Sequence, residues 1–220
     1  MYSSIFYIPK VHSFEPILKN IQMKILHIIS SPKGEASFSI KLGNAIVEKL
    51  QTKYAGSTVT VHNLTNTPFP HLEEVHLNAF YTPAETHTSE LTEAIKHSDA
   101  AIAELKDADV IVIGVPFYNF SIHSTLKAWI DHISRAGVTF AYTENGPQGL
   151  IKDKKVYLAL ASGGVYSAGP YAPYDFAVPY LKAFLGFIGM TNLTTYRVEG
   201  LAVPDLKDTA LEKAVASIEV

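Results

Sequence analysis

The run Val110–Val115 (VIVIGV) is apolar at every position and breaks into Pro116 and then Phe117-Tyr118-Asn119-Phe120. A strand with no polar alternation has to be covered on both faces, as happens in a parallel sheet flanked by helices. Pro116 cannot donate to a ladder, so the strand ends there in a loop. That loop offers flat apolar surface together with one amide carrying donors and an acceptor. In open α/β sheets ligands bind beyond the carboxyl ends of strands, which makes the loop a candidate seat for a flat heteroaromatic ring. Aromatics that only close the core are the competing reading of the same four residues.

A chain of 220 residues with 47% hydrophobic content is long enough to bury one full core. Its net charge of -3, from 18 basic and 21 acidic side chains, carries no basic excess that would point to nucleic acid. The absence of cysteine removes disulfides, thiolate nucleophiles and Cys-ligated metal clusters, and it suits a reducing, cytoplasmic setting. No apolar run has the length of a membrane span, so no membrane partner is expected. Met1–Gln22 mixes Pro9, Lys10, His12, Glu15, Pro16 and Lys19 with short apolar runs, unlike a signal peptide. The fold is expected to start at Met23, with residues 1–22 a dispensable extension and 23–220 one domain.

From Met23 the chain alternates strand and helix patterns. Ile25–Ile29 reads as a buried first strand, followed by the hydroxyl-rich loop Ser30–Ser39 and a helix with Leu42, Ala45, Ile46 and Leu50 on one face. Ser37 or Ser39 can cap that helix. Val59, Val61 and Leu64 alternate with polar residues, as in a strand near a sheet edge. A short helix is expected within His71–Tyr81 and one longer helix over Thr88–Ala108, feeding the Val110 strand. Leu126, Trp129, Ile130 and Ile133 mark the next helix, closed by Gly137. Residues 138–150 carry Asn145-Gly146-Pro147 and read as a hairpin or flap outside the main sheet. Val156–Ala161, a helix through Leu181–Ile188, Leu193–Val198 and a closing helix through Leu211–Ile218 complete the chain. The expected architecture is a doubly wound α/β fold with a five-stranded parallel sheet in the order 2-1-3-4-5.

Three loops at strand ends then meet in space. Ser30–Ser39 brings hydroxyls and a helix N-terminus, which favour a single phosphate. It matches neither G-x-G-x-x-G nor G-x-x-x-x-G-K-[ST], which disfavours dinucleotide and nucleoside-triphosphate cradles. Gly163-Gly164 lets backbone amides approach a ring edge. Phosphate at one end and a planar ring at the other, with no metal ligands in reach, describe flavin mononucleotide, FMN. His71 and His76 are spaced wrongly for zinc on one helical face and read as surface histidines. Ser167 makes no G-x-S-x-G elbow, so a hydrolase is not indicated.

These residues resemble the FMN-dependent NADH azoreductases, which also act as NAD(P)H:quinone oxidoreductases. The resemblance runs from Met23 to near the C-terminus. It rests on Pro116–Phe120, Ser134-Arg-Ala-Gly-Val-Thr-Phe140 with Tyr142-Thr-Glu-Asn-Gly-Pro147, Ser162-Gly-Gly164, and Pro179-Tyr-Leu with Phe184-Leu-Gly-Phe-Ile-Gly189. It implies a flavodoxin-like fold, bound FMN, NADH as donor, and a homodimer with active sites at the interface. By position it implies that Ser31, Ser37, Phe38 and Ser39 hold the phosphate. Phe117, Tyr118, Asn119 and Phe120, with Ala161, Ser162, Gly163 and Gly164, then hold the isoalloxazine, and Asn119, Tyr142 and Phe187 line the substrate pocket. The expected reaction is a ping-pong, two-electron reduction of quinones and azo compounds in which no side chain is an obligatory acid or base. An FMN reductase using NAD(P)H and a non-enzymatic flavodoxin-like carrier are the alternatives. Retention of flavin separates the first, and the modest charge disfavours the second.

Overall fold

A computed structural model describes residues 22–220. The expectation that the N-terminal segment is dispensable therefore falls, apart from Gln22, outside the described residues. The elements run β1 (Lys24–Ile29), α1 (Phe38–Lys53), β2 (Thr58–Asn63), α2 (Glu74–Tyr81), α3 (Ser89–Ala94), α4 (Lys96–Asp107) and β3 (Val110–Pro116). Then come α5 (Ser124–Ile133), β4 (Phe140–Thr143), β5 (Gly146–Gly149), β6 (Lys155–Ala161), α6 (Ala177–Phe187), β7 (Asn192–Val198) and α7 (Ala210–Ala216). β2-β1-β3-β6-β7 form one sheet with every pairing parallel, and β4-β5 is a separate antiparallel hairpin. With the hairpin strands set aside, this is the expected 2-1-3-4-5 order.

The apolar runs explain the layering. β3 is buried at every residue, so its alternate side chains enter two different cores. Ile111, Ile113 and Val115 pack with Leu126, Trp129 and Ile130 of α5 and Leu181 and Leu185 of α6. Val110 and Val112 face Leu42, Ile46 and Leu50 of α1 and Ala214 of α7. β2, with exposed or half-buried residues throughout, is the edge strand its alternation indicates.

The single helix expected over Thr88–Ala108 is in fact two, broken at Ile95. α3 buries nothing, whereas α4 buries Ser98, Ala101, Ile102 and Leu105. The Ser98 hydroxyl donates to the carbonyl of His132 on α5 at 2.5 Å. Docking against α5 sets the direction of α4 alone, and intrahelical spacing carries no trace of that. His76 is also a correction: it is buried rather than on the surface. Its Nδ1 accepts from the Glu73 amide at 3.0 Å, closing the capping box of α2.

The hairpin is seated by a close backbone approach. A Cβ on Gly149 would lie 2.1 Å from the amide nitrogen of Gly189 and 2.3 Å from the carbonyl carbon of Ile188. Beside it the Ile151 amide donates to the Ile188 carbonyl at 2.9 Å. Because the obstacle is backbone, Gly149→Ala has to lift the hairpin base off the turn after α6, at a cost of about 1–3 kcal/mol. Urea unfolding of the variant should show that loss; an unchanged midpoint would mean that the two segments part freely.

Candidate functional site

The carboxyl ends of β1, β3, β6 and β7 bring the predicted loops together. Ile29 pairs with Gly114, Pro116 with Ala161, and Ala161 with Val198. The Ser30 hydroxyl donates to the Gly114 carbonyl at 2.7 Å, and the Phe117 amide donates to the Ala161 carbonyl at 2.9 Å. Between these ends lies a cavity of about 330 Å³, whose walls include Ser31, Ser37, Phe38, Phe117, Tyr118, Ala161, Ser162 and Gly163. Eight of the positions singled out from the sequence thus meet in one place.

One end of the cavity is built for an anion. Ser37 stands at the N-cap of the 16-residue α1 but makes no side-chain cap; its hydroxyl instead lies 3.0 Å from that of Ser39. The first-turn amides of α1 are left to an outside acceptor, beside the buried Ser31 and Ser37 hydroxyls. Ser39 itself is fully buried behind Ser37 and does not line the cavity.

The other end is flat and holds free donors. The carbonyls of Gly163 and Gly164 accept from the amides of Ala202 (2.8 Å) and Gly200 (3.1 Å), while their own N–H groups have no partner among the described residues. The Ser162 hydroxyl is spent on the Gly164 carbonyl at 2.8 Å. Tyr166, which the sequence reading passed over, sets its ring 4.4 Å from that of Phe117, tilted by 35°. Its backbone is held by Glu199: the amides of Tyr166 and Ser167 donate to Oε1 at 2.9 and 3.0 Å. Arg197 links Glu199 (3.2 Å) to Asp175 (2.5 Å), and Asp175 accepts from the Ala177 and Val178 amides at the start of α6. The one legible signal for this network was Arg197, a charged residue in an otherwise uncharged strand.

Asn119 and Phe120 adopt positive φ, 48° and 69°. The amides and carbonyls of the flanking Tyr118 and Ser121 exchange two hydrogen bonds, at 3.0 and 2.9 Å, which makes a tight turn of the type I′ class. Asn tolerates this conformation, but a Phe there is strained and persists only because its surroundings hold it. Phe120 rests 5.5 Å from Tyr174, and its carbonyl accepts from the Phe176 amide at 3.1 Å. The turn carries Asn119 out of the first cavity and into the wall of a neighbouring one. Phe120 and Gly164 line neither. Tyr142 and Phe187 do not join the loops: both flank Phe140, at 5.5 and 4.5 Å, on the hairpin side of the molecule.

The donor set fits FMN. Hydroxyls and uncapped helix amides suit a phosphate, and a flat aromatic wall opposite unpaired amides suits the ring. Among the described residues no helix is long and apolar enough to cross a membrane.

Known proteins are similar to this chain in sequence and in fold. An FMN-dependent NADH:quinone oxidoreductase of Rhizobium etli is 49% identical over 196 residues, covering 89% of this chain and 96% of the relative. Another of the same name from Aromatoleum aromaticum is 47% identical over 198 residues, covering 90% and 98%. Among solved structures, an azoreductase from Bacillus anthracis aligns with a TM-score of 0.82 at 32% identity, covering 89% of this chain and 96% of that one. An FMN-dependent NADH-azoreductase from the same species, in complex with FMN, gives a TM-score of 0.77 at 28% identity, covering 88% and 97%. The model of the flavodoxin-like fold family matches residues 23–220, the span of the sheet, its helices and the three loops, and the chain belongs to that family.

Proposed function

We propose that this chain is an FMN-dependent NADH:quinone oxidoreductase that also reduces azo compounds. The observation that carries the reading is the single cavity in which an uncapped helix N-terminus and buried hydroxyls share the walls with aromatic side chains and the unpaired Gly163 amide. When bound, the flavin supplies two-electron chemistry, taking hydride from a reduced nicotinamide and giving it to a quinone or azo acceptor.

The chain's own residues bind and orient. Ser31, Ser37 and the first-turn amides of α1 hold the phosphate, with Phe38 and Ser39 fixing that turn. Phe117 and Tyr118 support the ring, with Ala161 and Ser162 shaping its edge. The amide of Gly163, with that of Gly164 just behind it, stabilises negative charge that develops on the ring, as fixed donors in a partly dry site do. Asn119 and Phe120 are set by their strained turn at the border between ring and substrate. No side chain at the cavity is required to deliver the proton, which solvent supplies.

The reading includes a homodimer in the cytoplasm with its active sites at the interface. Tyr142 is 76% exposed on β4 of the hairpin, and Phe120, Tyr171, Tyr174 and Phe176 leave further aromatic surface in solvent. These exposed aromatics support that reading. We assign Tyr142, with Phe187 behind Phe140, to the substrate face offered to a second copy.

The test is the visible spectrum of the purified protein, followed by anaerobic NADH and then a benzoquinone. Yellow protein that bleaches with NADH and recolours with quinone is the expected result. Protein that neither carries nor takes up FMN sinks the reading.

A further inference from the structure

A larger cavity, of about 830 Å³, opens beside the cofactor cradle and shares Lys33 and Tyr118 with it. That volume is in the range of small-molecule sites, about 300–1,000 Å³. Its polar wall includes Lys33, Asn119, Ser121, His123, Lys127 and Tyr180, and no carboxylate lines it.

The orientation of these groups favours an anion. His123 receives the Thr125 hydroxyl at 2.8 Å and the Thr125 amide at 3.3 Å on Nδ1, so its remaining Nε2–H is a donor. Burial lowers the His123 pKa, which keeps the ring neutral and that assignment fixed at pH 7. Burial raises the Tyr180 pKa, so its hydroxyl keeps its proton. Lys127 meets Asp131 one turn along α5 at 2.5 Å, with about half of the lysine side chain exposed. Partly exposed pairs of this spacing are weak, so the ammonium exchanges readily to a stronger anion.

We propose that this cavity receives the phosphate-bearing half of the dinucleotide donor, with Lys33 and Lys127 pairing its pyrophosphate and the nicotinamide reaching the ring past Tyr118. The inference rests on the oxidoreductase reading above and adds to it where the donor's phosphates sit. Lys127 then determines donor affinity without touching the cradle, whose walls do not include it. A quinone has no phosphate and gains nothing from the site, whereas a sulfonated azo dye carries a comparable anion and has to be separated by experiment.

The experiment compares two hydride donors on the FMN-loaded protein with benzoquinone as acceptor: NADH, and 1-benzyl-1,4-dihydronicotinamide, which has the reacting ring but no phosphate. Lys127→Glu should raise KM for NADH about tenfold with kcat unchanged, the signature of lost uniform binding through a charged contact. KM for the phosphate-free donor should stay within about twofold, and Lys127→Gln should give a smaller rise for NADH alone. Equal rises for both donors, or none for NADH, overturn the proposal. So does a rise in KM for a sulfonated azo dye without one for NADH, which gives the site to the acceptor. Wild-type protein with FMN that oxidises neither donor removes the oxidoreductase reading and this site with it; an active wild type with an unmoved Lys127→Glu removes the site alone.

Discussion

Arg197→Met should destabilise the protein by about 3 kcal/mol and lower Tm by roughly 6–12 °C, because it leaves two largely buried carboxylates without their cation. The side chains of Asp175 and Glu199 are only 7% and 11% exposed, and Arg197 itself is 18% exposed. Losing one partner of a buried pair costs far more than the pair gained on forming, since the remaining charge keeps its desolvation penalty. The partial exposure of Arg197 places the expected loss at the low end of that range. Two segments loosen together: the start of α6, whose Ala177 and Val178 amides rest on Asp175, and the Tyr166 loop, whose amides rest on Glu199. FMN retention through gel filtration should therefore fall along with stability. Glu199→Gln keeps an acceptor for the two amides and should lose less than Arg197→Met. A urea midpoint for Arg197→Met equal to wild type would falsify the account.

The second large effect is acid lability from His27. It lies on β1, buried against α1, and burial lowers its pKa from 6.5 to about 4. Its Nε2 has no hydrogen-bond partner, and a Cβ on Gly43 of α1 would stand 2.6 Å from that atom. A depressed folded pKa means that the unfolded chain binds the proton more readily, so stability rises with pH across the window. His27 imposes no such penalty above pH 6.5; the loss grows as pH falls below it and is complete near pH 4. The gap between the two values corresponds to about 3 kcal/mol. His132 contributes in the same direction, its pKa also lowered chiefly by burial. His27→Leu should flatten most of the fall in urea stability between pH 7 and pH 4, and it also removes a buried atom without a partner. Acid profiles of equal depth in the variant and the wild type would show that other groups govern the loss.

How much was legible in the chain varies by element. The β3 run named a central strand because six consecutive apolar residues have no other stable place, and the alternation in β2 named an edge. Gly163 and the serine hydroxyls that line the cavity at the sheet ends were also readable, since turn chemistry and helix starts are local. The break at Ile95 was not, because it follows from docking Ser98 on α5, 34 residues away. The burial of His76 was not legible either, since it depends on what α2 packs against. Tyr166 and its Glu199–Arg197–Asp175 support lay in three separate stretches of sequence, and only the closed fold brings them to one loop.

The sequence by itself determined the layer order, the cofactor class and the three loops, because hydrophobic period, turn residues and helix starts act over a few neighbouring residues. Only the tertiary structure decided that Asn119 and Phe120 twist into a left-handed turn, that Ser39 sits behind Ser37, and that Tyr142 and Phe187 lie apart from the cradle. Only the structure, too, showed that Lys33 of the loop after β1 and Lys127 of α5 share the wall of one cavity. Those outcomes depend on contacts between residues distant in the chain, and local preferences there are overruled by packing across the sheet ends.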